Sequence, residues 1–309
     1  MTDSPLVTII VPAYNEADDI AATLDRLTRL DYPAIEIVLI DDASTDETVA
    51  IAEGFAGKIN LRILRQEANR GVAAARNVGL RQAHGEIVII LNADVLLPAD
   101  FVRRIVPHYA VGCDYLVVNS RVANTEYAFP RYVQLMHSMQ YSDPDNAEWS
   151  EGYSCRREAA LAVGGFPEEF PGASGEDAVF GERMRARFRK CYDATIPAPH
   201  IVPATWRGFW SQRRGRGRGS AYLLFRFRRQ PLALFPLLRA WLGLLVHLAT
   251  LYPLWGDGLR LVHLSPFGWR DWLPMSWARG VDMVAQQVGY WQGYREIAAS
   301  KPTWQAARS

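Results

Sequence analysis

Oxygen-bearing side chains follow three short apolar runs in the first hundred residues. These polar sites are Tyr14-Asn15-Glu16, Asp41-Asp42 and Asn92-Ala93-Asp94. Carboxylate and amide oxygens are the ligands that Mg²⁺ and Mn²⁺ prefer, and these cations usually keep waters and bridge to substrate phosphates. A metal held in this way can neutralise a diphosphate leaving group. The pattern therefore predicts a site for a metal-bound phosphate ligand.

The acids at two of these positions have different candidate roles. Asp94, beside Asn92, can be a metal ligand, or the three residues can form only an Asx-type turn before a helix. Asp41 and Asp42 could cap a helix, but one acid would suffice, and two adjacent acids repel each other. We therefore favour a ligand for at least one of this pair, because a carboxylate here can accept a hydrogen bond from a base N–H or a ribose hydroxyl.

Two further groups could complete such a site. The segment 69–77 places Arg70 and Arg76 at the start of an Ala-rich helix, where either could face phosphate or could be a solvated arginine on a packing helix. Glu176 and Asp177 follow Gly175 at a helix start. They could supply a general base, or they could only complement the helix dipole.

Strands that alternate with helices must position these side chains. Continuous apolar runs predict buried parallel strands, and helical spacing or capping residues predict helices between them. This alternation predicts an α/β fold with a mostly parallel, doubly wound sheet, whose ligands bind beyond the carboxyl ends of the strands. The predicted strands are Leu6–Ala13, Ile35–Ile40, Leu61–Leu64, Glu86–Leu91, Leu116–Val118 and Tyr192–Ile196, and the predicted helices are Glu16–Leu30, one starting near Ser44, Gly71–Ala83, one starting at Pro98, and Ala178–Arg189.

The order and spacing of these segments resemble family 2 glycosyltransferases, which have the Rossmann-like GT-A fold. The resemblance covers roughly two thirds of the chain, and five motifs in register make it specific. The matching segments are 11–16, 41–46, 69–77 and 85–94, followed by Gly164-Gly165-Phe166-Pro167-Glu168 and Gly175-Glu176-Asp177.

The resemblance implies an inverting transfer of a sugar from a UDP- or GDP-sugar to a saccharide or lipid-linked acceptor, by a single displacement assisted by Mg²⁺ or Mn²⁺. It implies that Asp177, next to Glu176, is the catalytic base, and that Asp94 is the metal-binding acid of the Asp-x-Asp motif. The implied donor-binding residues are Pro12 and Tyr14 against the base, Asp42 hydrogen-bonded to it, and Glu16, Arg70, Arg76, Asn92 and Ala93 around the sugar diphosphate.

The sequence departs from the family pattern at two points. Asn92 replaces the first acid of the Asp-x-Asp motif, so the metal site lacks one charge. An alternative is therefore a catalytically impaired nucleotide-sugar-binding module. His200 is a candidate for the additional metal contact that many members have, although a lone histidine is more often structural.

The Gln-x-x-Arg-Trp signature of processive members is absent, which predicts a non-processive enzyme. A nucleotidyltransferase should instead carry a Gly-rich phosphate loop after the first strand, and residues 13–16 are not such a loop.

The region after residue 205 is basic and aromatic. No Asp or Glu occurs from Ala194 to Gly256. The Arg-Gly run 213–219 predicts a loop in which Arg213 and Arg216 bind the donor diphosphate, or a contact with anionic lipid headgroups. A solvated loop is the next alternative, and we rank RNA binding last, so no nucleic-acid partner is predicted.

The apolar stretch Leu232–Trp255 contains Pro236, Arg239 and His247. Its clean part is short for a membrane span, so we favour a kinked helix in the membrane interface over an ordinary buried helix pair. We therefore predict peripheral attachment to the cytoplasmic face of a membrane. The predicted organisation is a catalytic domain over 1–205, with a nucleotide-binding half (1–115) and an acceptor half (116–205), and a helical extension over 206–309.

Composition adds two constraints. The chain has 309 residues, of which 49% are hydrophobic, so it can form a sizeable core, and its net charge of +1 indicates no particular partner. Cys113, Cys155 and Cys191 are far apart and odd in number, which predicts neither a metal site nor a disulfide framework. With no signal peptide expected at the N-terminus, we predict a cytoplasmic, reducing compartment.

Overall fold

The computed structural model describes residues 4–140, 151–170, 174–228 and 234–299. The chain divides into two units. The first comprises residues 1–125, 137–169 and 176–202, and the second comprises residues 126–136, 170–175 and 203–309.

A seven-stranded sheet forms the centre of the first unit. The continuous apolar runs become strands because they can be buried on both faces, and every residue of β1 and β4 is buried. The predicted α/β fold with a mostly parallel sheet is therefore confirmed. The strands are β1 (Val7–Ala13), β2 (Ile35–Asp41), β3 (Leu61–Arg65), β4 (Ile87–Ile90), β5 (Tyr115–Val122), β6 (Tyr153–Arg156) and β7 (Lys190–His200).

The sheet order is β3-β2-β1-β4-β6-β5-β7. Strands β3, β2, β1 and β4 are parallel, β6 is antiparallel to both β4 and β5, and β7 is parallel to β5. The register pairs Ala13 with Asp41 and Ile10 with Ile90, so β1, β2 and β4 end at the same edge. The polar residues that follow these strands consequently share one edge of the sheet.

Helices connect the strands of the first unit, and those predicted to begin at Glu16, near Ser44 and at Pro98 begin three or four residues later, at Ile20, Thr48 and Phe101. Residues 16 and 17 are not helical, because the backbone N–H groups of Glu16 and Ala17 donate to the side chains of Thr48 and Asp46. Pro98 does not open a helix: Phe101 N–H donates to the Pro98 carbonyl in a turn, and the helix begins at Phe101. In chain order the helices up to residue 185 are α1 (Ile20–Leu27), α2 (Thr48–Glu53), α3 (Val72–Gln82), α4 (Phe101–Ala110), α5 (Ala128–Gln140), α6 (Arg157–Ala162) and α7 (Glu176–Arg185). Of these, α5 belongs to the second unit up to residue 136.

Two of the three cysteines are paired, contrary to the prediction. Cys113, just after α4, and Cys191, in β7, form a disulfide with their Cα atoms 5.9 Å apart. Their separation of 78 residues hid the pairing, which arises because α4 packs beside β7. Cys155 is free and buried.

The second unit is helical and is built around the packing of α8 against α11. Its other segments include one turn of 3₁₀ helix and two π-helical turns. The helices are α8 (Trp206–Ala221), α9 (Leu234–Ala249), α10 (Gly258–Leu264) and α11 (Trp272–Ala299), with π-helical turns over Tyr222–Phe227 and Pro253–Asp257 and the 3₁₀ turn over Gly268–Asp271.

The Arg-Gly run 213–219 lies inside α8, so the predicted loop is wrong. A Cβ added at Gly217 would lie 1.9 Å from the carbonyl oxygen of Gln286, and one at Gly289 would lie 1.9 Å from that of Arg214. Glycine disfavours an isolated helix. Here it allows two helix backbones to approach closely, and tertiary packing of this kind supplies most helical stability in proteins.

The apolar stretch Leu232–Trp255 contains α9 and continues into the second π-helical turn. Among the helices of the described residues, none has both the length and the apolar character needed to cross a bilayer. Leu244 is buried, whereas several other apolar side chains of α9 are exposed.

Candidate active site

Asp42 organises the loop that precedes α3. Its carboxylate accepts hydrogen bonds from the backbone N–H groups of Arg70 (2.8 Å) and Gly71 (2.7 Å) and from Nε2 of Gln66 (2.7 Å). Gly71 has φ of 88°, a conformation that glycine adopts without strain. Asp42 thus holds the backbone 66–71 against the end of β2, a contact that sequence reasoning missed.

The loops after β1 and β2 are tied together by side-chain hydrogen bonds. Asn15, with φ of 55°, accepts a hydrogen bond from the N–H of Thr45, and its own N–H donates to the hydroxyl of Ser44. Asp41 accepts from the N–H of Ser44 and lies 3.4 Å from Nε of Arg65. Pro12 is buried in β1. The Tyr14 ring, 45% exposed, stands at this edge, as a ring that stacks on a base would require.

Arg76 is buried and bridges two parts of the site. Its Nη1 donates to Oε1 of Glu176 (2.8 Å), its Nη2 donates to Oδ1 of Asn92 (2.9 Å), and its guanidinium lies over the Phe166 ring. The structure therefore joins Asn92 after β4 to Glu176 at the start of α7. The contact of Arg76 with phosphate, one of the two roles that the sequence left open, remains a prediction.

One carboxylate oxygen of Asp94 is available to bind a ligand. In the described part of the chain, its buried Oδ1 has no hydrogen-bond partner. Burial, and then the charges of Glu151 and Glu16, raise the pKa of Asp94 to about 8. The loop that holds it is fixed because the Thr23 hydroxyl donates to the carbonyl of Ala93 at 2.6 Å. An added cation would relieve this unfavourable concentration of negative charge.

Further carboxylates surround Asp94. Burial, followed by the charges of Asp19 and Asp46, raises the pKa of Glu16 to about 7. Glu151 raises the pKa of both Asp94 and Asp177, so it lies within electrostatic reach of both. Sequence reasoning missed Glu151, because no strand or family motif marks its position.

Asp177 lies at the first turn of α7. Its Oδ1 accepts a hydrogen bond from the N–H of Ala178 at 2.8 Å. Burial, followed by the charge of Glu176, raises the pKa of Asp177 to about 7, with the charge of Arg76 opposing the rise. A carboxylate with a pKa near neutrality is suited to proton transfer.

A tight turn follows α6. The side chain of Asn77 accepts a hydrogen bond from the N–H of Phe166 and donates to its carbonyl and to Glu168. A Cβ at Gly165 would lie 2.3 Å from Oδ1 of Asn77. Glu168 also accepts from Nη2 of Arg70 at 3.0 Å. The Gly-Gly-Phe-Pro-Glu segment is thus held against α3 by Asn77 and Arg70.

His200, the predicted additional metal contact, ends β7 next to the Asp94 segment. Val95 forms a bridge with His200, and the N–H of Ile201 donates to the carbonyl of Asp94 at 2.9 Å. The imidazole is buried, with Nδ1 3.3 Å from the Ser120 hydroxyl. Its role as a metal contact remains a prediction.

Arg213 and Arg216 lie in α8 of the second unit. The Arg213 side chain is buried, 4.0 Å from Asp282 and over the Phe209 ring, and it donates to Gln212. The Arg216 side chain is half-buried. Donor binding by these two residues also remains a prediction.

The residues around Asp94 fit a divalent cation that takes only one or two ligands from the protein and the rest from water and substrate phosphates. Among the described residues, no three His, Cys, Asp or Glu side chains are close enough to form a complete protein cage. Mg²⁺ is usually held by one or two carboxylates together with waters and substrate phosphates. The free Oδ1 of Asp94 can serve as such a carboxylate.

Similar sequences are found among glycosyltransferases. A family model described as glycosyl transferase family 2 matches residues 8–165, just over half of the chain. The poly(ribitol-phosphate) beta-N-acetylglucosaminyltransferase TarS of Staphylococcus aureus is 40% identical over 89 residues, which are 28% of this chain and 16% of that protein. The glycosyltransferase GlyG of Streptococcus pneumoniae is 32% identical over 103 residues, or 33% and 34% of the two chains. The matched stretch is thus about a third or less of the length of these curated relatives.

Solved structures share the fold over nearly the whole chain. The mannosyltransferase PcManGT of Pyrobaculum calidifontis, in complex with GDP-Man and Mn²⁺, has a TM-score of 0.59 at 24% identity and covers 99% of this chain and 79% of that one. TarS 1–349 of S. aureus, in complex with UDP-GlcNAc, has a TM-score of 0.57 at 21% identity and covers 94% and 92%. The architecture is the GT-A fold that the sequence predicted.

Proposed function

Because the chain belongs to glycosyl transferase family 2, whose members are glycosyltransferases, we propose that it transfers a sugar from a nucleoside-diphosphate sugar to an acceptor with inversion. The observation that carries the proposal is the free Oδ1 of Asp94, at the carboxyl end of β4 and within the influence of Glu16 and Glu151. A metal-bound diphosphate would place positive charge beside this carboxylate.

In this proposal the edge formed by β1, β2 and β4 holds the donor. Tyr14 and Pro12 lie against the base, and Asp42 orders the loop that borders it. Asn92 and Ala93 lie beside the sugar diphosphate, with Glu16 nearby. PcManGT is described with GDP-Man, and TarS with UDP-GlcNAc, so a UDP- or GDP-sugar is the donor we propose.

Arg76 and Arg70 act through their partners in the proposed site. Arg76 holds Asn92 and Glu176, and Arg70 holds Glu168. These contacts connect the donor edge to α7, which carries the proposed base. The arginines thereby set the distance between donor and acceptor groups.

Asp177 is the base in the proposed single displacement. It accepts the proton of the acceptor hydroxyl while that oxygen bonds to the anomeric carbon, and the bond from this carbon to the diphosphate breaks. The bonding electrons leave with the nucleoside diphosphate, so the anomeric configuration inverts. A bound Mg²⁺ or Mn²⁺ supplies charge neutralisation for the departing diphosphate. Asp94 would hold this ion, with His200 as a candidate second contact.

The acceptor is proposed to be a saccharide or a lipid-linked molecule, as expected for an enzyme of glycan biosynthesis. The basic, aromatic region after residue 205 supports a location at the cytoplasmic face of a membrane. Such a location would bring the site to lipid-linked acceptors.

Nucleotide binding and donor hydrolysis test the proposal. UDP or GDP with Mn²⁺ should raise the thermal midpoint of the wild type, since a ligand of the folded state stabilises it. The protein should then hydrolyse the matching sugar donor slowly, and Asp94→Ala and Asp177→Asn should abolish this activity. Absence of a midpoint shift with every nucleoside diphosphate would contradict the donor site.

A second candidate is a nucleotide-sugar-binding module without turnover. It is favoured by Asn92, which replaces the first acid of the family's Asp-x-Asp motif and offers no carboxylate oxygen to a metal. Midpoint shifts with nucleotides, but no hydrolysis or transfer with any donor and acceptor, would support the module over the enzyme.

A further inference from the structure

The surface of the second unit is apolar along one helix. Leu238, Leu242, Leu245 and Val246 of α9 are exposed. Their spacing of four, three and one residues places them on one face of a helix. Leu242 is 62% and Leu245 is 59% exposed, whereas Leu244 on the other side is buried. We call these four side chains the α9 face.

Large apolar side chains continue beyond α9. Leu251 and Trp255 follow it directly, and Trp255 is 56% exposed. The following segments also carry large apolar side chains that are about half-exposed or more. These are Leu264, Phe267, Trp269, Leu273 and Trp277. Exposed apolar side chains in this number are typical of interaction sites, and Trp is enriched where one end of a ring meets water and the other meets lipid.

Polar groups at the end of α9 are satisfied within the chain. Nδ1 of His247 lies 2.7 Å from the carbonyl of Gly243, and the Thr250 hydroxyl donates to the carbonyl of Val246 at 2.7 Å. The indole N–H of Trp255 donates to the carbonyl of Thr250 at 2.6 Å. Internal pairing of this kind lowers the cost of moving these groups from water into an apolar medium.

Among the described residues of 203–299, the exposed charged side chains have one sign. The segment 203–299 contains thirteen arginines and four acidic residues. Asp257, Asp271 and Asp282 are buried and paired with Arg279 or Arg131. Glu296 pairs with Arg218. The acids are thus neutralised within the unit, while Arg226, Arg228, Arg260 and Arg270 are exposed.

We propose that the α9 face is the docking surface for an anionic lipid bilayer. The apolar side chains enter the boundary between headgroups and acyl chains, and the exposed arginines contact lipid phosphates. Charge complementarity favours this partner over a second copy of the chain, because two copies would bring like-charged arginines together. The inference rests on the membrane location proposed above and adds its surface and its lipid chemistry.

Vesicle co-sedimentation tests the docking surface. Full-length protein is mixed with vesicles of phosphatidylcholine containing phosphatidylglycerol, or with phosphatidylcholine alone. Wild type should bind the vesicles that contain phosphatidylglycerol roughly tenfold or more tightly than vesicles of phosphatidylcholine alone, and salt should weaken this binding. The double variant Leu242→Glu/Leu245→Glu should lose at least about tenfold in affinity, since charges in an apolar membrane region are costly.

Matched variants separate docking from general effects. Val111, 69% exposed in the first unit, gives the control Val111→Glu, which should bind as wild type does. Arg226→Glu/Arg228→Glu should lose about fivefold or more per arginine on anionic vesicles only. Arg26→Glu/Arg81→Glu, with the same change in charge at exposed positions of α1 and α3, should retain binding.

Two results would overturn the inference. One is equal vesicle binding by wild type and Leu242→Glu/Leu245→Glu. The other is a lipid-free wild-type dimer, measured by light scattering, that becomes a monomer in this variant, because the face would then bind a second copy. Circular dichroism and nucleotide-induced midpoint shifts on every variant report folding and the donor site. Loss of vesicle binding with intact nucleotide binding therefore separates this inference from the proposed glycosyl transfer.

Discussion

Arg76 Nη2 donates a 2.9 Å hydrogen bond to Oδ1 of Asn92, while Nη1 of the same guanidinium donates to Glu176. One buried arginine thus connects the loop after β4 with the start of α7. The residue that departs from the family pattern, Asn92, is an integral part of this contact. The relationship suggests that an uncharged oxygen at position 92 is compatible with a well-ordered site.

Replacement of Arg76 should destabilise the first unit. In Arg76→Lys, one ammonium cannot reach both partners with the planar geometry of a guanidinium. The buried carboxylate of Glu176 would lose part of its pairing, and we expect the free energy of unfolding to fall by about 2 to 4 kcal/mol. Urea denaturation measures this change. Arg81→Lys, at an exposed position of the same helix, is the matched control and should change stability by less than about 0.5 kcal/mol.

Restoring an acid at position 92 should strengthen metal binding. In Asn92→Asp the new carboxylate would lie beside Arg76, so its charge is offset and the fold should be retained. We expect Mn²⁺ affinity, measured by calorimetry in the presence of UDP or GDP, to rise by up to about tenfold. Unchanged affinity would indicate that position 92 does not contact the metal.

Asp94→Asn should raise the stability of the metal-free protein at pH 8 and abolish turnover. The pKa of Asp94 is raised to about 8 in the folded protein, so its stabilising contribution is complete below the unfolded pKa and is lost as pH rises through about 8. Without metal, the variant should therefore be more stable than wild type by up to about 5 kcal/mol at pH 8, since each unit of pKa shift corresponds to about 1.4 kcal/mol, and nearly equal at pH 4. Urea denaturation in the presence of a chelator measures both values. Turnover should be lost, and a variant with wild-type kcat would remove Asp94 from the proposed metal site.

The proposed base predicts a pH dependence. Asp177 must be deprotonated to accept a proton, and its pKa is raised to about 7. We therefore expect kcat/KM for transfer to a hydroxyl acceptor to fall about tenfold per pH unit below about 7 and to level off above it. Steady-state rates across pH 5 to 9 test this. Asp177→Asn should retain nucleotide binding with negligible transfer, and a pH profile unchanged by Asp177→Glu would argue against its role as base.

The α8–α11 packing predicts opposite effects for neighbouring glycines. Gly217→Ala places a Cβ 1.9 Å from the carbonyl oxygen of Gln286, so the helices must separate, and we expect a loss of about 2 kcal/mol or more. Gly215→Ala meets nothing within 4 Å and should stabilise the helix by up to about 1 kcal/mol. Thermal unfolding of the two variants gives the comparison. Equal midpoints would contradict close contact at Gly217.

The apolar runs by themselves determined the parallel strands β1 to β4 of the first unit. Strands at Val7–Ala13, Ile35–Asp41 and Ile87–Ile90 follow from continuous burial on both faces, and the carboxyl ends of parallel strands must share an edge. The placement of Asp42 and Asp94 at that edge was therefore predictable. The order of these elements predicted a mostly parallel, doubly wound sheet, and the resemblance to family 2 glycosyltransferases implied the GT-A fold.

Tertiary structure decided the contacts that join distant segments. Neither the bridge from Arg76 to Asn92 and Glu176 nor the influence of Glu151 on Asp94 and Asp177 follows from local patterns, because the partners are far apart in sequence. The Arg-Gly run shows the same limit. Its glycines disfavour a helix locally, and only the close approach of the α11 backbone at Gly217 stabilises one.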